Sequence, residues 1–200
     1  MRSAFWKDCV VCLGLVALSV GGRLLAHVPN FTPVAAAALF AGYFVSRRSM
    51  AVAVPIVSMA LSDLVIGGYD VEVMVAVYAS MVLPVFLSMA LKGRFFAARV
   101  FGCCLASSCF FFVVTNFAVW KFGGMYGSDW SGLLRCYLAA LPFFKYTLGG
   151  DLFWCVGLFG CHALVTRIAG RFAKMPWAVL LAGRSPFSAL AVVRHSPFAR

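Results

Sequence analysis

The polar side chains that could carry chemistry in this chain are few, and they stand within or beside long apolar runs. Asp63 and Asp151 are carboxylates inside such runs. A carboxylate within a membrane span is costly and usually faces the interior of the bundle, where it meets water, a partner or a ligand. Asn30, Thr32 and Asn116 add neutral hydrogen-bonding groups. These residue types suit the binding of a small polar molecule by charge and hydrogen bonds.

Signatures of catalysis and of metal binding do not appear in the sequence. It contains no Walker motif, no HExxH or GxSxG motif and no paired His/Cys ligand set. Cys9 and Cys12 open an apolar run without a second ligand pair, so we interpret them as small apolar residues. We expect no cofactor, no metal and no enzymatic activity; a membrane enzyme is the least favoured class, because only the two carboxylates could serve it.

The composition determines the kind of element that positions these residues. Hydrophobic residues make up 64% of the 200 positions, and the mean hydropathy is +0.97. A soluble domain is about half apolar, so the lipid bilayer must be part of the solvent. Apolar runs at 9–25, 33–45, 50–66, 73–91, 100–120 and 152–168 predict an all-α integral membrane fold with about six transmembrane helices.

The segment 121–150 is mixed in character and is predicted to lie outside the membrane. Its middle, 133–144, is predicted as a short interfacial helix interrupted by Pro142, because Arg135 and Lys145 bracket too few residues to cross. The transmembrane domain is placed at 1–172. Residues 173–200 are predicted to be a basic, proline-containing cytoplasmic tail.

Basic residues set the predicted orientation. The chain carries 17 Lys and Arg against 6 Asp and Glu, for a net charge of +11. Placing the N-terminus inside puts most of the basic residues on the cytoplasmic side, as the positive-inside rule requires. Both termini are therefore predicted to be cytoplasmic. Nucleic acid is not a predicted partner, because the basic residues alternate with apolar runs and no nucleic-acid-binding motif occurs.

The second predicted helix is short. Thr32 is its predicted N-cap and Pro33 its first residue, and the distance to Arg47 is roughly 22 Å, less than the bilayer core of about 30 Å. Residues 27–32 should therefore dip below the outer surface as a re-entrant-like loop. Non-helical backbone at that depth is tolerated only against protein or a wet cavity, which Asn30 and Thr32 are expected to face.

Counting helical rise from Arg48, Arg99 and Arg167 places polar groups of several helices at one depth. Asp63, Asn116 and Asp151 each come roughly 22–26 Å above the cytoplasmic end. The neighbouring outer segments are aromatic, and Lys145 lies among them. The predicted solute-binding set is Asn30, Thr32, Asp63, Asn116, Trp120, Tyr126, Trp130, Lys145 and Asp151.

A structural explanation of the same residues stays open. Asp63 and Asp151 could cap helix ends or pair with Lys145, and Trp and Tyr form an ordinary aromatic belt at membrane interfaces. The small residues Ala35–Ala38 and Gly42 would then serve close helix packing. Two function classes follow: a membrane solute-binding or uptake protein, and a structural or assembly protein without a ligand.

Four sequence runs carry a family resemblance. They are RLLAHVPNFTPVAAAALFAG (Arg23–Gly42), LSDLVIG (Leu61–Gly67), VTNFAVW (Val114–Trp120) and FFKYTLGGD (Phe143–Asp151). Together they resemble an uncharacterised family of small bacterial membrane proteins. The resemblance covers residues 20–168 and implies a multi-pass protein of the inner (plasma) membrane.

The predicted architecture also resembles the substrate-binding S components of energy-coupling-factor vitamin transporters. That likeness implies six helices, cytoplasmic termini and an outward pocket closed by the loops after helices 1, 3 and 5. It implies a vitamin-like solute, and a transmembrane coupling subunit with ATPases as partner. S components commonly present an Ala-x-x-x-Ala pattern on helix 1, whereas this chain offers Gly14, Ser19, Gly21 and Gly22 there.

Overall fold

The computed structural model describes residues 2–91 and 96–172, and every regular element in these ranges is helical. The α-helices are α1 (Arg2–Leu24), α2 (Val34–Phe44), α3 (Arg48–Ile66), α4 (Val71–Leu87), α5 (Phe96–Phe122) and α6 (Trp130–Phe172), and a 3-10 turn at Ser88–Leu91 follows α4. The all-α prediction is confirmed. The predicted tail, 173–200, lies outside the described residues.

Five of the described helices are long and apolar enough to cross a bilayer. These segments are Phe5–Leu24, Arg48–Ile66, Val71–Leu91, Phe96–Phe122 and Trp130–Gly170. The remaining helix, α2, has 11 residues, and its rise is about 17 Å. The prediction of a short second helix is confirmed, and the described helices have the length and composition of a polytopic membrane protein.

The chain between α1 and α2 is non-helical from residue 25 to residue 33. Pro33 takes the N-cap position of α2, where its carbonyl accepts the bond from the Ala37 N–H at 2.8 Å. No side chain caps the helix, so the predicted cap by Thr32 is wrong. Asn30 adopts a left-handed φ of 61°, which Asn tolerates better than most residues. Two prolines in this stretch lack the N–H that a helix would need.

The centre of the fold is α2, which is buried on nearly every side. Its four consecutive alanines bring neighbouring helices close, because small side chains allow near approach of the backbones. Gly42 permits a close contact with α4, since a Cβ there would lie 2.5 Å from the carbonyl oxygen of Val85. The core around α2 comprises Leu15, Ala37, Ala38, Ala41, Val45, Ala51, Val54 and Val85.

The short connection between α2 and α3 is held by hydrogen bonds at both ends. Asp8 of α1 accepts a bond from the Ser46 N–H at 3.1 Å. The Arg48 guanidinium donates to the Val85 carbonyl at 3.0 Å and to the Ser88 hydroxyl at 3.3 Å. These contacts fix where α3 begins relative to α1 and α4.

The last helix differs from its prediction. A short helix at 133–144 and a separate span at 152–168 were expected, whereas α6 runs without a break through Pro142 over 43 residues. Its first half packs antiparallel to α5: the Tyr137 hydroxyl donates to the Val113 carbonyl at 2.7 Å, and the rings of Phe112 and Phe144 lie 4.9 Å apart. This lateral packing stabilises helix where charge and proline suggested a break.

By its internal contacts the chain divides within α6, where one compact unit ends at Leu158 and a second begins at Phe159. The side chains and cavities of the candidate site belong to the first unit.

Candidate functional site

Asp63 is the centre of a polar cluster at the C-terminal ends of α1 and α3. The Arg23 Nη1 atom lies 2.8 Å from Asp63 Oδ1, and the Tyr78 hydroxyl of α4 donates to Asp63 Oδ2 at 2.9 Å. Arg23 also donates to the Ser62 hydroxyl and to the Met59 carbonyl. Asp63 is buried, so its negative charge is neutralised inside the protein rather than by solvent.

Tyr69, in the loop after α3, lies close enough to this cluster for its pKa to be affected by the charges of Asp63 and Arg23. Burial raises the pKa of Tyr69 above its ordinary value, and the Asp63 charge raises it further, while Arg23 acts in the opposite direction. The pairing of Arg23 with Asp63 was not predicted from the sequence. The equal depth of the two residues, at the ends of helices predicted to run in the same direction, was the signal that could have found it.

Asp151 lies in a different environment, on the face of α6 that packs against α5. Its Oδ2 atom accepts a 2.6 Å hydrogen bond from the Ser108 hydroxyl, and the residue is buried. Cys104 and Cys155 meet one turn away, with their sulfur atoms 2.6 Å apart. The partners of Asp151 are thus distinct from those of Asp63.

The predicted common depth of Asp151 and Asn116 does not match these contacts. Asp151 lies opposite Ser108, whereas Asn116 stands about two helical turns further along α5, or about 12 Å. There the Asn116 carbonyl faces Cys136 and its side chain bonds the Phe112 carbonyl of its own helix. The depth count failed because Arg167 was taken as the cytoplasmic end of a short helix, whereas α6 is longer.

The other predicted site residues are spread over several places. Asn30 is exposed and Thr32 half-buried in the segment before α2, and Tyr126 is half-buried in the α5–α6 connection. Lys145 is exposed, with its ammonium 4.8 Å from the ring centre of Tyr146. Trp120 and Trp130 are brought together at the α5–α6 connection, as described below.

A cavity lies beside the non-helical segment, and we call it the α1 cavity. Its volume is about 510 Å³. It is lined by Ala17, Leu18, Gly21, Gly22, Leu25, Ala26, His27, Val28, Phe31 and Trp154. A Cβ added to Gly21 would meet no atom within 4 Å, whereas one added to Gly22 would strike the ring of Pro33. Gly22 therefore allows the close packing of α1 against Pro33, while Gly21 borders open space.

A second cavity, which we call the turn cavity, lies at the α5–α6 connection. Its volume is about 360 Å³, and it is lined by Phe117, Trp120, Lys121, Ser128, Asp129, Trp130 and Leu133. The Trp120 indole N–H donates to the Gly127 carbonyl at 2.9 Å. Asp129 caps α6 by accepting from the Gly132 N–H at 2.9 Å and from the Ser131 hydroxyl at 2.7 Å.

A third cavity, of about 290 Å³, lies on α3 and α4 and includes Tyr78 among otherwise apolar residues. None of these three cavities is lined by Asp63 or Asp151. Within residues 2–91 and 96–172, no group of three His, Cys, Asp or Glu side chains is placed to hold a metal ion. The role of the two carboxylates in binding a solute stays a prediction.

The fold defines the class of the protein first: in the part of the chain that the structure describes, every regular element is helical, five helices are of membrane-spanning length, and one short helix is buried. Residues 3–175 match a family of unknown function, DUF6580, and the chain belongs to that family. No curated protein and no solved structure matches the chain. The likeness to S components of vitamin transporters therefore stays a prediction.

Proposed function

We propose that the protein is a multi-pass protein of the inner membrane that binds a small solute in the α1 cavity and takes part in its uptake. The observation that carries the proposal is the placement of this cavity at the non-helical segment that leads into the 11-residue α2. Non-helical backbone at membrane depth is tolerated against protein or along a cavity. Binding pockets of transporters are commonly built at such interruptions.

The lining of the α1 cavity indicates which part of a solute it would contact. Its residues are apolar except for the His27 imidazole and the indole N–H of Trp154, so a bound molecule would present an apolar ring or chain to α1 and polar groups to His27 and Trp154. A volume of about 510 Å³ lies in the range of ordinary small-molecule pockets. This supports a vitamin-like molecule with an apolar body, which refines the small polar molecule that the carboxylates suggested.

The charge pattern supports the proposed orientation, and the lack of nucleotide-binding motifs in the sequence supports the need for a partner subunit. With both termini in the cytoplasm, the α1 cavity opens on the outer half of the membrane. The sequence has no Walker motif, so active uptake would need a transmembrane coupling subunit with ATPases. The protein itself would bind and release the solute without chemical change.

A structural or assembly role is the second candidate, and one observation favours it. Both intramembrane carboxylates have protein partners, Arg23 and Tyr78 for Asp63 and Ser108 for Asp151. A carboxylate satisfied in this way needs no ligand. In this alternative the polar groups hold the helices together, and the α1 cavity holds lipid.

A pair of glycine variants tests the proposal. Gly21→Phe should fill the α1 cavity, because a side chain there enters open space, whereas Gly14→Phe adds the same ring on α1 outside the lining. The measurement is native mass spectrometry of gently solubilised protein, looking for a small bound molecule. We expect an adduct on the wild type and on Gly14→Phe, and none on Gly21→Phe.

Two results would count against the proposal. An adduct that persists equally on both variants would place the ligand elsewhere. A wild type that carries no small molecule, or only phospholipid, would favour the structural alternative.

A further inference from the structure

The turn cavity is lined by two opposite charges that do not form an ion pair with each other. Lys121 and Asp129 both line it. Lys121 and Asp129, both within the described residues, form no ion pair with each other, so their charged groups stand more than 4.0 Å apart. Opposite charges that face a common cavity at a distance complement a molecule that is itself dipolar.

The local backbone holds these groups in place. The Trp120 indole is fixed by its bond to Gly127, and the Lys121 ammonium lies 5.9 Å from the Trp120 ring centre. Asp129 is held by Ser131 and Gly132 at the start of α6. Each Asp129 oxygen accepts one of these bonds, which leaves lone pairs for a further donor.

Asp129 also keeps its charge. The hydrogen bond from Ser131, followed by that from the Gly132 N–H, holds the pKa of this carboxyl below its ordinary value. The carboxylate is therefore ionised at neutral pH. Trp130, the next residue, is 85% exposed, so its ring face is open to an incoming cation.

We propose that the turn cavity binds a zwitterionic head group of the phosphoethanolamine type. The ammonium of the head group would lie at Asp129 and the Trp130 ring, and its phosphate at Lys121. An ammonium is attracted both to a carboxylate and to the face of an indole, and Lys is a common phosphate ligand. This site is separate from the α1 cavity and does not depend on the proposed uptake function.

The surroundings of the turn cavity favour a membrane lipid as the source of that head group. Phe122 and Met125 beside it are exposed large apolar side chains, and Phe117 in its lining is half exposed. Exposed apolar and aromatic residues at the end of a spanning helix are typical of the membrane interface, where lipid head groups lie. A soluble phosphoethanolamine ester would meet the same charges but not these apolar contacts.

Lipid titrations of the full chain in detergent test this assignment. Binding of dioleoyl phosphatidylethanolamine, dioleoyl phosphatidylglycerol and glycerophosphoethanolamine would be measured by native mass spectrometry. Asp129→Asn should weaken phosphatidylethanolamine binding about tenfold and leave phosphatidylglycerol, which has no ammonium, unchanged. Asn is as good an N-cap as Asp, so α6 should begin normally in this variant. Lys121→Gln should weaken both lipids, because both carry the phosphate.

The control is Lys145→Gln, which removes an exposed Lys that also lies over an aromatic ring but is outside the cavity. It should change neither lipid affinity. The inference is overturned if wild type does not bind phosphatidylethanolamine, if Asp129→Asn affects the two lipids equally, or if Lys145→Gln acts like Lys121→Gln. Glycerophosphoethanolamine that binds as tightly as the lipid, and is weakened about tenfold by Asp129→Asn, would support the same site with a soluble ligand.

Discussion

At the scale of single residues, the Arg23–Asp63 pair joins two opposite charges inside the protein. Arg23 is 16% exposed and Asp63 9%, so both charges have lost most of their hydration. Their mutual attraction and the Tyr78 hydrogen bond offset that loss. The pair therefore acts as one neutral unit, and removing either charge leaves the other unpaired.

Asp63→Asn should destabilise the protein. The unpaired Arg23 guanidinium would remain in a mostly buried position, and breaking a buried pair from one side costs about 3 kcal/mol. The measurement is the free energy of unfolding, obtained by titrating the protein in a mild detergent with a denaturing detergent. The double variant Arg23→Gln with Asp63→Asn should recover part of the loss, because no isolated charge remains.

The predicted role of Asp63 in solute binding implies instead that Asp63→Asn would weaken solute binding and leave folding intact. A normal free energy of unfolding in the single variant would restore that prediction. It would show that the Arg23 charge finds water or a ligand when Asp63 is neutral.

At the scale of helices, the sequence was informative where composition and local chemistry agree. Pro33 and the alanine run that follows it predicted the start of α2 to within one residue. Proline is favoured at the start of a helix and disfavoured in its interior. The position of Asp63 along α3 was also well predicted, because α3 begins at the Arg48 from which the helical rise was counted.

Prediction failed where long-range packing overrides local signals. Arg135, Pro142 and Lys145 all suggested a break, yet α6 continues through them because this part of the helix packs along α5. The partner of Asp63 was likewise invisible, since pairing with Arg23 depends on which helices become neighbours. The cavities could not be located, because side-chain direction at Gly21 or Lys121 depends on that same assembly.

Close packing of α2 on α4 leads to a prediction at this scale. Gly42→Ala would place a Cβ 2.5 Å from the Val85 carbonyl oxygen and 2.8 Å from the Val85 Cα, so the two backbones must separate. We expect a loss of about 1–3 kcal/mol in the free energy of unfolding. Gly102→Ala on α5 is the matched control, because its Cβ would meet nothing within 4 Å.

The control variant should be neutral or slightly stabilising, since Ala favours helix over Gly by about 1 kcal/mol. Equal effects of Gly42→Ala and Gly102→Ala would show that α2 and α4 are not in backbone contact. The comparison is made by the same unfolding titration, so both variants share one reference state.

At the scale of the whole molecule, the membrane topology can be tested at two connections whose relative sides do not depend on whether α2 crosses. The connection after α2 and the connection after α5 are separated by α3, α4 and α5, each long enough to span. In the predicted topology each of these helices crosses once, which would place those two connections on opposite sides of the membrane. Whether α2 crosses matters only for the N-terminus, because 11 residues rise about 17 Å against a bilayer core of about 30 Å.

Cysteine labelling checks both the crossings and the orientation. In a background without the native cysteines, a membrane-impermeant maleimide added to intact cells should react with Ser128→Cys and not with Ser49→Cys. Both positions are exposed, so a lack of reaction at Ser49→Cys cannot be due to burial. Permeabilised cells should label both. The positive-inside rule gives the direction, because Arg47 and Arg48 flank Ser49. Labelling of Ser49→Cys alone in intact cells would reverse the orientation, and labelling of both would mean that α3, α4 and α5 do not each cross once.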